Sequence, residues 1–211
     1  MTLPSEKLIT MNDRGARSAT TFGSVEAGGG NMVFIKKLTA SSSSTLSFVD
    51  GASSVVLDNT YKEYLFTFNN IHPATDGVKF QVNFRDGGTD YDATKTSTTF
   101  RSRHDEGNST TQLVYVTGAD LAQSTGVQFI TEDIGNENDQ CGSGTLHLFD
   151  PSNTTFVKHF ISTMQIVEEA NESRTLFTAG YCNVTAAIDG VQFSMSSGNI
   201  DSGDICLYGI L

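Results

Sequence analysis

Apolar and polar side chains alternate along short segments over most of this chain. The segment VKFQVNF alternates from Val78 to Phe84, and EYLFTFNNI places Tyr64, Phe66 and Phe68 on one face. TLHLFD repeats the pattern. A period of two residues is typical of a β-strand that buries one face and exposes the other.

Further segments are rich in aromatic and β-branched residues and are bounded by Gly, Asn, Asp and Ser, which favour turns. They are MVFIKKL, STLSFV, TTFRSR, QLVYV, FVKHFISTMQI, LFTAGY, VQFSM and DICLYGIL. No segment keeps a long apolar stripe with the 3.6-residue period of a helix. About ten short strands with polar turns predict an all-β fold, a jelly-roll-like antiparallel β-sandwich.

The first 32 residues have few apolar positions and no clear period, and they include the glycine run at 28–30. Their acidic and basic residues balance, so the negative charge of the chain lies in the body, residues 33–211. We therefore predict an extended N-terminal arm, residues 1–32, in front of the β-sandwich. Such an arm is either a disordered leader or a segment that orders only against a partner.

Composition narrows the function classes. The 211 residues suffice for one sizeable core, and the formal net charge of -11 disfavours binding to nucleic-acid phosphates. The chain contains no run of 18 apolar residues, so no membrane span is predicted. The segment MTLPSEKLITMNDRG lacks the apolar region of a signal peptide. The three cysteines, Cys141, Cys182 and Cys206, are too few and too widely spaced for a disulfide framework, which favours free thiols.

One loop, FRDGGTDYDATK, is a weak candidate for a cation site through Asp86, Asp90 and Asp92. It follows a strand rather than a helix and lacks the bidentate Glu of helix-flanked calcium loops. Gly87 and Gly88 are suited to the positive φ of a hairpin turn, and a hairpin turn is the favoured interpretation.

Motifs for catalysis are absent from the sequence. There is no His pair with metal-ligand spacing, no nucleophile elbow and no phosphate-binding loop. The segment TEDIGNENDQ carries Glu132, Asp133, Glu137 and Asp139, but so polar a loop is expected to be solvated. We predict no catalytic residue, no cofactor and no enzyme activity.

Four aromatic residues near predicted turns could stack on sugar rings: Tyr61, Tyr91, Phe100 and Tyr181. The absence of Trp weakens this interpretation, and packing at the edge of the core is the alternative.

Two longer motifs resemble those of a known protein family. The pattern Y-x-x-Y-x-F-x-F-x-N-I-x-P runs from Tyr61 to Pro73, and S-S-G-N-I-x-x-G-x-I-x-L-Y-G-I runs from Ser196 to Ile210. With these motifs, roughly residues 34–211 resemble a family of tailed-phage virion proteins, common among phages of marine bacteria and cyanobacteria. The resemblance implies a structural, non-catalytic role and a place in the virion, after assembly in the host bacterial cytoplasm.

Capsid decoration is the first functional hypothesis. The body would sit on the head shell as a trimer, and the arm would bind the major capsid protein or other virion subunits. Expected arm contacts are polar at three positions and apolar at three others: Lys7, Arg14 and Arg17, and Leu8, Ile9 and Phe22. The added buried area would stabilise the shell.

Two other hypotheses belong to different classes. A tail-fibre or spike module would contact host glycan through loops near Tyr91, Phe100 and TEDIGNENDQ. A polysaccharide hydrolase would need two carboxylates that converge in a cleft.

Overall fold

The computed structural model describes residues 31–211, which form twelve β-strands. The strands are β1 (Met32–Thr39), β2 (Leu46–Val49), β3 (Glu63–Pro73), β4 (Phe80–Arg85), β5 (Lys95–Asp105), β6 (Thr111–Tyr115), β7 (Gln128–Phe129), β8 (Gly142–Phe149), β9 (Lys158–Val167), β10 (Glu172–Cys182), β11 (Gly190–Met195) and β12 (Ile200–Ile210). Within residues 31–211, no helix has the length and apolar character needed to cross a membrane.

The strands form two antiparallel sheets. The wide sheet has the order β1-β12-β3-β8-β9-β10-β5-β6, and the narrow sheet has the order β2-β11-β4-β7. The first four strands of the wide sheet and the four of the narrow sheet interleave along the chain as the eight strands of a jelly roll do. The predicted all-β, jelly-roll-like sandwich is confirmed.

The wide sheet continues beyond the jelly roll. Strands β9 and β10 follow β8 in the sheet, and β5 and β6 are added outside β10. We call these four strands, β9, β10, β5 and β6, the extension. With the extension, the wide sheet has eight strands and the narrow sheet has four.

Aromatic side chains fill the space between the sheets. The ring of Phe193 on β11 lies 5.4 Å from Phe66, 5.2 Å from Phe68 and 5.7 Å from Phe80, measured between centroids. All four rings are almost completely excluded from solvent. Edge-to-face and stacked contacts of this kind add to the free energy gained by burying the rings. The apolar side chains of the alternating segments therefore pack against each other between the two sheets.

The predicted strands and their faces agree with the structure. Every segment named from its pattern contains a strand, and the apolar faces of VKFQVNF and EYLFTFNNI are buried. Strand β7 was not predicted because a strand of two residues shows no period. All three cysteines are free thiols, as predicted; Cys182 and Cys206 are buried, and Cys141 is partly exposed.

The predicted hairpin at FRDGGTDYDATK is wrong. Gly87 and Gly88 do have positive φ, +107° and +70°. However, β4 belongs to the narrow sheet and β5 to the wide one, so the loop crosses between sheets. An alternating pattern predicts a strand but does not identify its pairing partner, and β4 pairs with β11 and β7.

Candidate functional site

The extension has its charges on the inward side of the sheet and its aromatic rings on the outward side. Side chains alternate along a strand, and antiparallel partners share a face. Every Lys, Arg, Asp and Glu of the four strands falls in the inward rows: Lys95, Arg101, Arg103, Asp105, Lys158, Glu172 and Arg174. The outward rows hold only uncharged aromatic, aliphatic and hydroxyl residues, with Gln165 and two histidines.

Arg174 is the centre of the inward charges. Its guanidinium lies 3.0 Å from Glu168, 2.8 Å from Glu172, 3.6 Å from Glu132 and 3.7 Å from Asp133. The Arg174 side chain is only 8 % exposed. An arginine buried to this degree needs such partners, because an unpaired buried charge is very costly.

Three more cations complete the cluster. Arg101 pairs with Glu132, Arg103 lies 3.2 Å from Glu172, and Lys79 lies 2.7 Å from Asp133. The pKa values of the carboxyl groups of Glu168 and Glu172 are shifted in opposite directions.

Burial raises the pKa of Glu168 above its usual value. Burial acts in the same direction on Glu172, but hydrogen bonds and charges from Arg174 and Arg103 outweigh it and lower the pKa of that carboxyl group.

The expectation that TEDIGNENDQ is solvated is wrong at its beginning. Glu132 is 8 % exposed, and Thr131 and Ile134 are fully buried. The segment packs under the extension because guanidinium groups on β5 and β10 bind its acids. Since those arginines are distant in sequence, the local composition did not indicate them. Glu132 and Asp133 serve here as partners in an ion-pair network, whereas Glu137 and Asp139 are exposed as expected.

The outward face of the extension carries paired aromatic rings. Phe100 on β5 and Phe177 on β10 are stacked, with 4.9 Å between centroids and 13° between planes, and are 44 % and 37 % exposed. Tyr181 on β10 and His159 on β9 form a second pair, with 6.1 Å between centroids. Ala179 lies between the two pairs on β10, opposite Thr98 and Ile161.

This arrangement makes a shallow apolar groove across the extension. Phe177 and Tyr181 are four residues apart on one strand, so their positions are about 13 Å apart along it. The small side chain of Ala179 forms the floor between them, together with Thr98 and Ile161. We call this surface the outer groove: Thr96, Thr98, Phe100, His159, Ile161, Phe177, Ala179 and Tyr181.

Beyond the groove the outward face is mixed, because His147 is hydrogen-bonded to the carboxyl group of Glu63 there. One cross-strand row leads from Ile161 through His147 and Leu65 to Tyr208 and Phe34. Phe34 is 57 % exposed, and its ring meets Tyr208 edge to face, with 5.6 Å between centroids. Exposed aromatic rings grouped on one face are typical of interaction sites.

Two of the four aromatic residues proposed for stacking, Phe100 and Tyr181, line the outer groove. Tyr61 instead packs on Tyr64, with 5.7 Å between centroids, and Tyr91 lies against Gly190. The signal for the groove was present in the sequence as F-x-A-x-Y on β10. Without the strand order, it could not be joined to the residues on β5 and β9.

The remaining predicted site residues are the three aspartates of the cation candidate and the contacts of the N-terminal arm. Within residues 31–211, no group of three or more His, Cys, Asp or Glu side chains converges as a metal site, so Asp86, Asp90 and Asp92 are not brought together. The predicted arm contacts lie outside the described residues: Lys7, Leu8, Ile9, Arg14, Arg17 and Phe22.

Comparisons with known proteins identify no relative of this chain. No family model, no curated protein and no solved structure matches the chain.

Proposed function

We propose that this chain is a structural protein of a tailed-phage virion, a capsid decoration protein that binds the head shell and stabilises it. The outer groove is the contact surface of the body. The observation that carries the proposal is the uncharged outward face of the extension in a chain of net charge -11.

The composition of that face suits a protein partner. The cores of protein interfaces are depleted in charged residues and enriched in aromatic ones. Here Phe100 and Phe177 present exposed rings while the neighbouring charges lie on the opposite side of the sheet. A broad strand surface of this kind suits another flat surface, such as a capsid subunit.

The positions of the two motifs behind the resemblance also support the proposal. The first motif covers β3, the second covers β12, and these two strands pair antiparallel in the jelly-roll half of the wide sheet. Tyr64, Phe66 and Phe68 of the first motif are buried in the core. The resemblance to virion proteins therefore involves residues that build the body itself.

In this proposal residues 1–32 form a second contact, as an arm that binds neighbouring shell subunits. The body assembles as a trimer at a local threefold axis, which places three arms around it. The full chain is then expected to have a mass in solution of about three times its 22.7 kDa.

Copy number on purified particles tests the proposal. Quantitative mass spectrometry against the major capsid protein is expected to find on the order of hundreds of copies per virion, as closed shells with many equivalent sites require. About a dozen copies or fewer would place the protein in the tail and contradict capsid decoration.

Two variants then separate the contacts. The double substitution Phe100→Ser with Phe177→Ser should weaken rebinding to stripped particles, and so should deletion of residues 1–32. Phe156→Ser is the matched control, because Phe156 is 70 % exposed and lies outside the outer groove. If both altered proteins coat particles as the unaltered chain does, neither surface is the attachment site.

A receptor-binding module of a tail fibre is the second candidate, and the groove itself favours it. Aromatic rings beside hydroxyl groups suit the apolar faces and hydroxyls of sugars. Tyr181 and Phe177 flank the groove, and Thr98 lies at its floor. A glycan array with the full chain tests this function. Specific binding that Tyr181→Ala abolishes would favour it, and an array without signal would leave capsid decoration.

A further inference from the structure

Lys95, the first residue of β5, is fully buried without a carboxylate among its hydrogen-bond partners. Its Nζ donates to the side-chain Oδ1 of Asn83 at 2.5 Å and to the backbone oxygen of Ala93 at 2.6 Å. A buried ammonium group normally needs an anionic partner, because loss of hydration disfavours the charged form. The ammonium group of Lys95 therefore has no directly bonded anion that would offset the cost of its burial.

The side-chain amide of Asn83 is held in place by two further hydrogen bonds. Asn83 lies on β4 and is 9 % exposed, and its Oδ1 also accepts the backbone N–H of Phe84 at 3.1 Å. Its Nδ2 donates to the backbone oxygen of Thr125 at 3.4 Å. The amide carbon is one C=O bond, about 1.23 Å, from Oδ1, so it lies at most about 3.7 Å from Nζ of Lys95. This is close to the separation of reacting atoms in oriented intramolecular reactions.

We propose that Lys95 and Asn83 form an intramolecular isopeptide bond. The neutral amine of Lys95 attacks the carbonyl carbon of Asn83, a C–N bond forms, and the C–N bond to the original amide nitrogen breaks. One proton of the attacking amine moves to the departing nitrogen, which leaves as ammonia. The reaction needs no oxidant, metal or cofactor.

The surroundings of Lys95 favour the reactive form of its amine. Burial lowers the pKa of Lys95 to about 8, although Cys182, Asp92 and Asp86 act in the opposite direction. At pH 7 about a tenth of such amines are neutral, compared with far fewer for a lysine with the usual pKa near 10.4. Because Lys95 has no exposed surface and Asn83 is only 9 % exposed, water has little access to compete with the amine.

The bond would join the two sheets at the loop that carries the three aspartates. Asn83 lies in the narrow sheet and Lys95 in the wide sheet, and Asp86, Asp90 and Asp92 lie between them in the chain. A covalent bond here removes a buried cation and closes the crossing loop. Cross-links that close loops restrict the unfolded chain and thereby stabilise the fold.

Lys158 provides a matched control within the same row of the sheet. It pairs in register with Cys182, as Lys95 does, and it is also fully buried. Its Nζ donates only to the backbone oxygens of Asn153, Phe156 and Val184, so no side-chain amide is within hydrogen-bond distance. Lys158 therefore shares the burial but lacks the reaction partner.

Intact mass spectrometry of the purified, denatured full chain tests the proposal. The expected mass is lower than the sequence mass by about 17 Da, the mass of one ammonia. Lys158→Arg should keep this loss, whereas Lys95→Arg and Asn83→Ala should show the full sequence mass. A wild-type chain at full sequence mass overturns the proposal.

Tryptic peptide mapping of the wild-type chain gives an answer that does not depend on whether any variant folds. Trypsin does not cleave after an acylated lysine, so the expected product is the peptide 80–85 joined to the peptide 86–101. Cleavage after Lys95 overturns the proposal even if ammonia has been lost, because that loss would then come from cyclisation of an asparagine.

Discussion

Phe100 of β5 stacks on Phe177 of β10 at 4.9 Å between centroids, and both rings face solvent on the outward side of the extension. The stack links neighbouring strands at directly paired positions. Contacts between paired aromatic residues stabilise sheets beyond what their buried area explains.

The first prediction concerns this stack. We expect Phe100→Ala and Phe177→Ala to be coupled by about 0.5–1.5 kcal/mol in a double-mutant cycle, because either substitution alone removes the whole ring contact. Urea unfolding of the two single variants and the double variant measures the coupling. Additive free energies of unfolding would show that the rings do not interact in solution.

Arg174 is expected to be one of the most sensitive positions in the body. Arg174→Met should lower the free energy of unfolding by about 3–5 kcal/mol, because it leaves the buried carboxylate of Glu168 without its partner. Chemical denaturation gives this value directly.

Lys62→Met is the matched control for Arg174→Met. Lys62 lies 3.0 Å from Asp150, but its side chain is 74 % exposed. The loss should stay within about 1 kcal/mol, as for other exposed ion pairs. Equal losses in the two variants would contradict a special role of burial at Arg174.

The pH dependence of stability should separate the two glutamates bound to Arg174. The pKa of Glu172 is lowered in the folded state, so its contribution is present above the unfolded value, near 4.5, and is lost as pH falls through the folded pKa. The pKa of Glu168 is raised, so its contribution is present below 4.5 and is lost as pH rises through the folded pKa.

Unfolding free energies of Glu172→Gln and Glu168→Gln, measured between about pH 3 and pH 7, check these signs. The destabilisation caused by Glu172→Gln should shrink as the pH falls. That caused by Glu168→Gln should shrink as the pH rises. Parallel pH profiles for the two variants would mean that the carboxyl groups do not differ as described.

Gly144 on β8 should tolerate no larger residue. A Cβ atom there would lie 2.2 Å from the backbone oxygen of Thr163 and 2.9 Å from Cα of Met164. Because backbone atoms cannot move aside cheaply, Gly144→Ala should destabilise the fold by about 1–3 kcal/mol or more. Gly118→Ala is the control, since a Cβ at Gly118 meets nothing within 4 Å. Thermal melts should show a clear loss for the first variant and little change for the second.

Much of the fold was readable from local patterns. The period of two predicted the strands and their buried faces, as for Tyr64, Phe66 and Phe68, because alternation follows from the backbone geometry of each strand alone. The turn character of Gly87 and Gly88 was also correct, because positive φ is a local property.

The candidate site was readable only in fragments. Phe100 and Tyr181 were candidates for stacking on sugars, but the sequence did not link Phe177, Ala179 and Ile161 to them. A groove across three strands depends on which strands are neighbours. The same limit explains the false hairpin and the unexpected burial of Glu132, whose guanidinium partners come from β5 and β10.

The sequence by itself determined the fold class, the positions of the longer strands and the buried face of the most regular ones, because these depend on contacts between near neighbours in the chain. Tertiary structure alone decided the strand order, and with it the outer groove, the Arg174 network and the approach of Lys95 to Asn83. Each of these joins residues of different strands, and their proximity follows from how the sheets pair and pack.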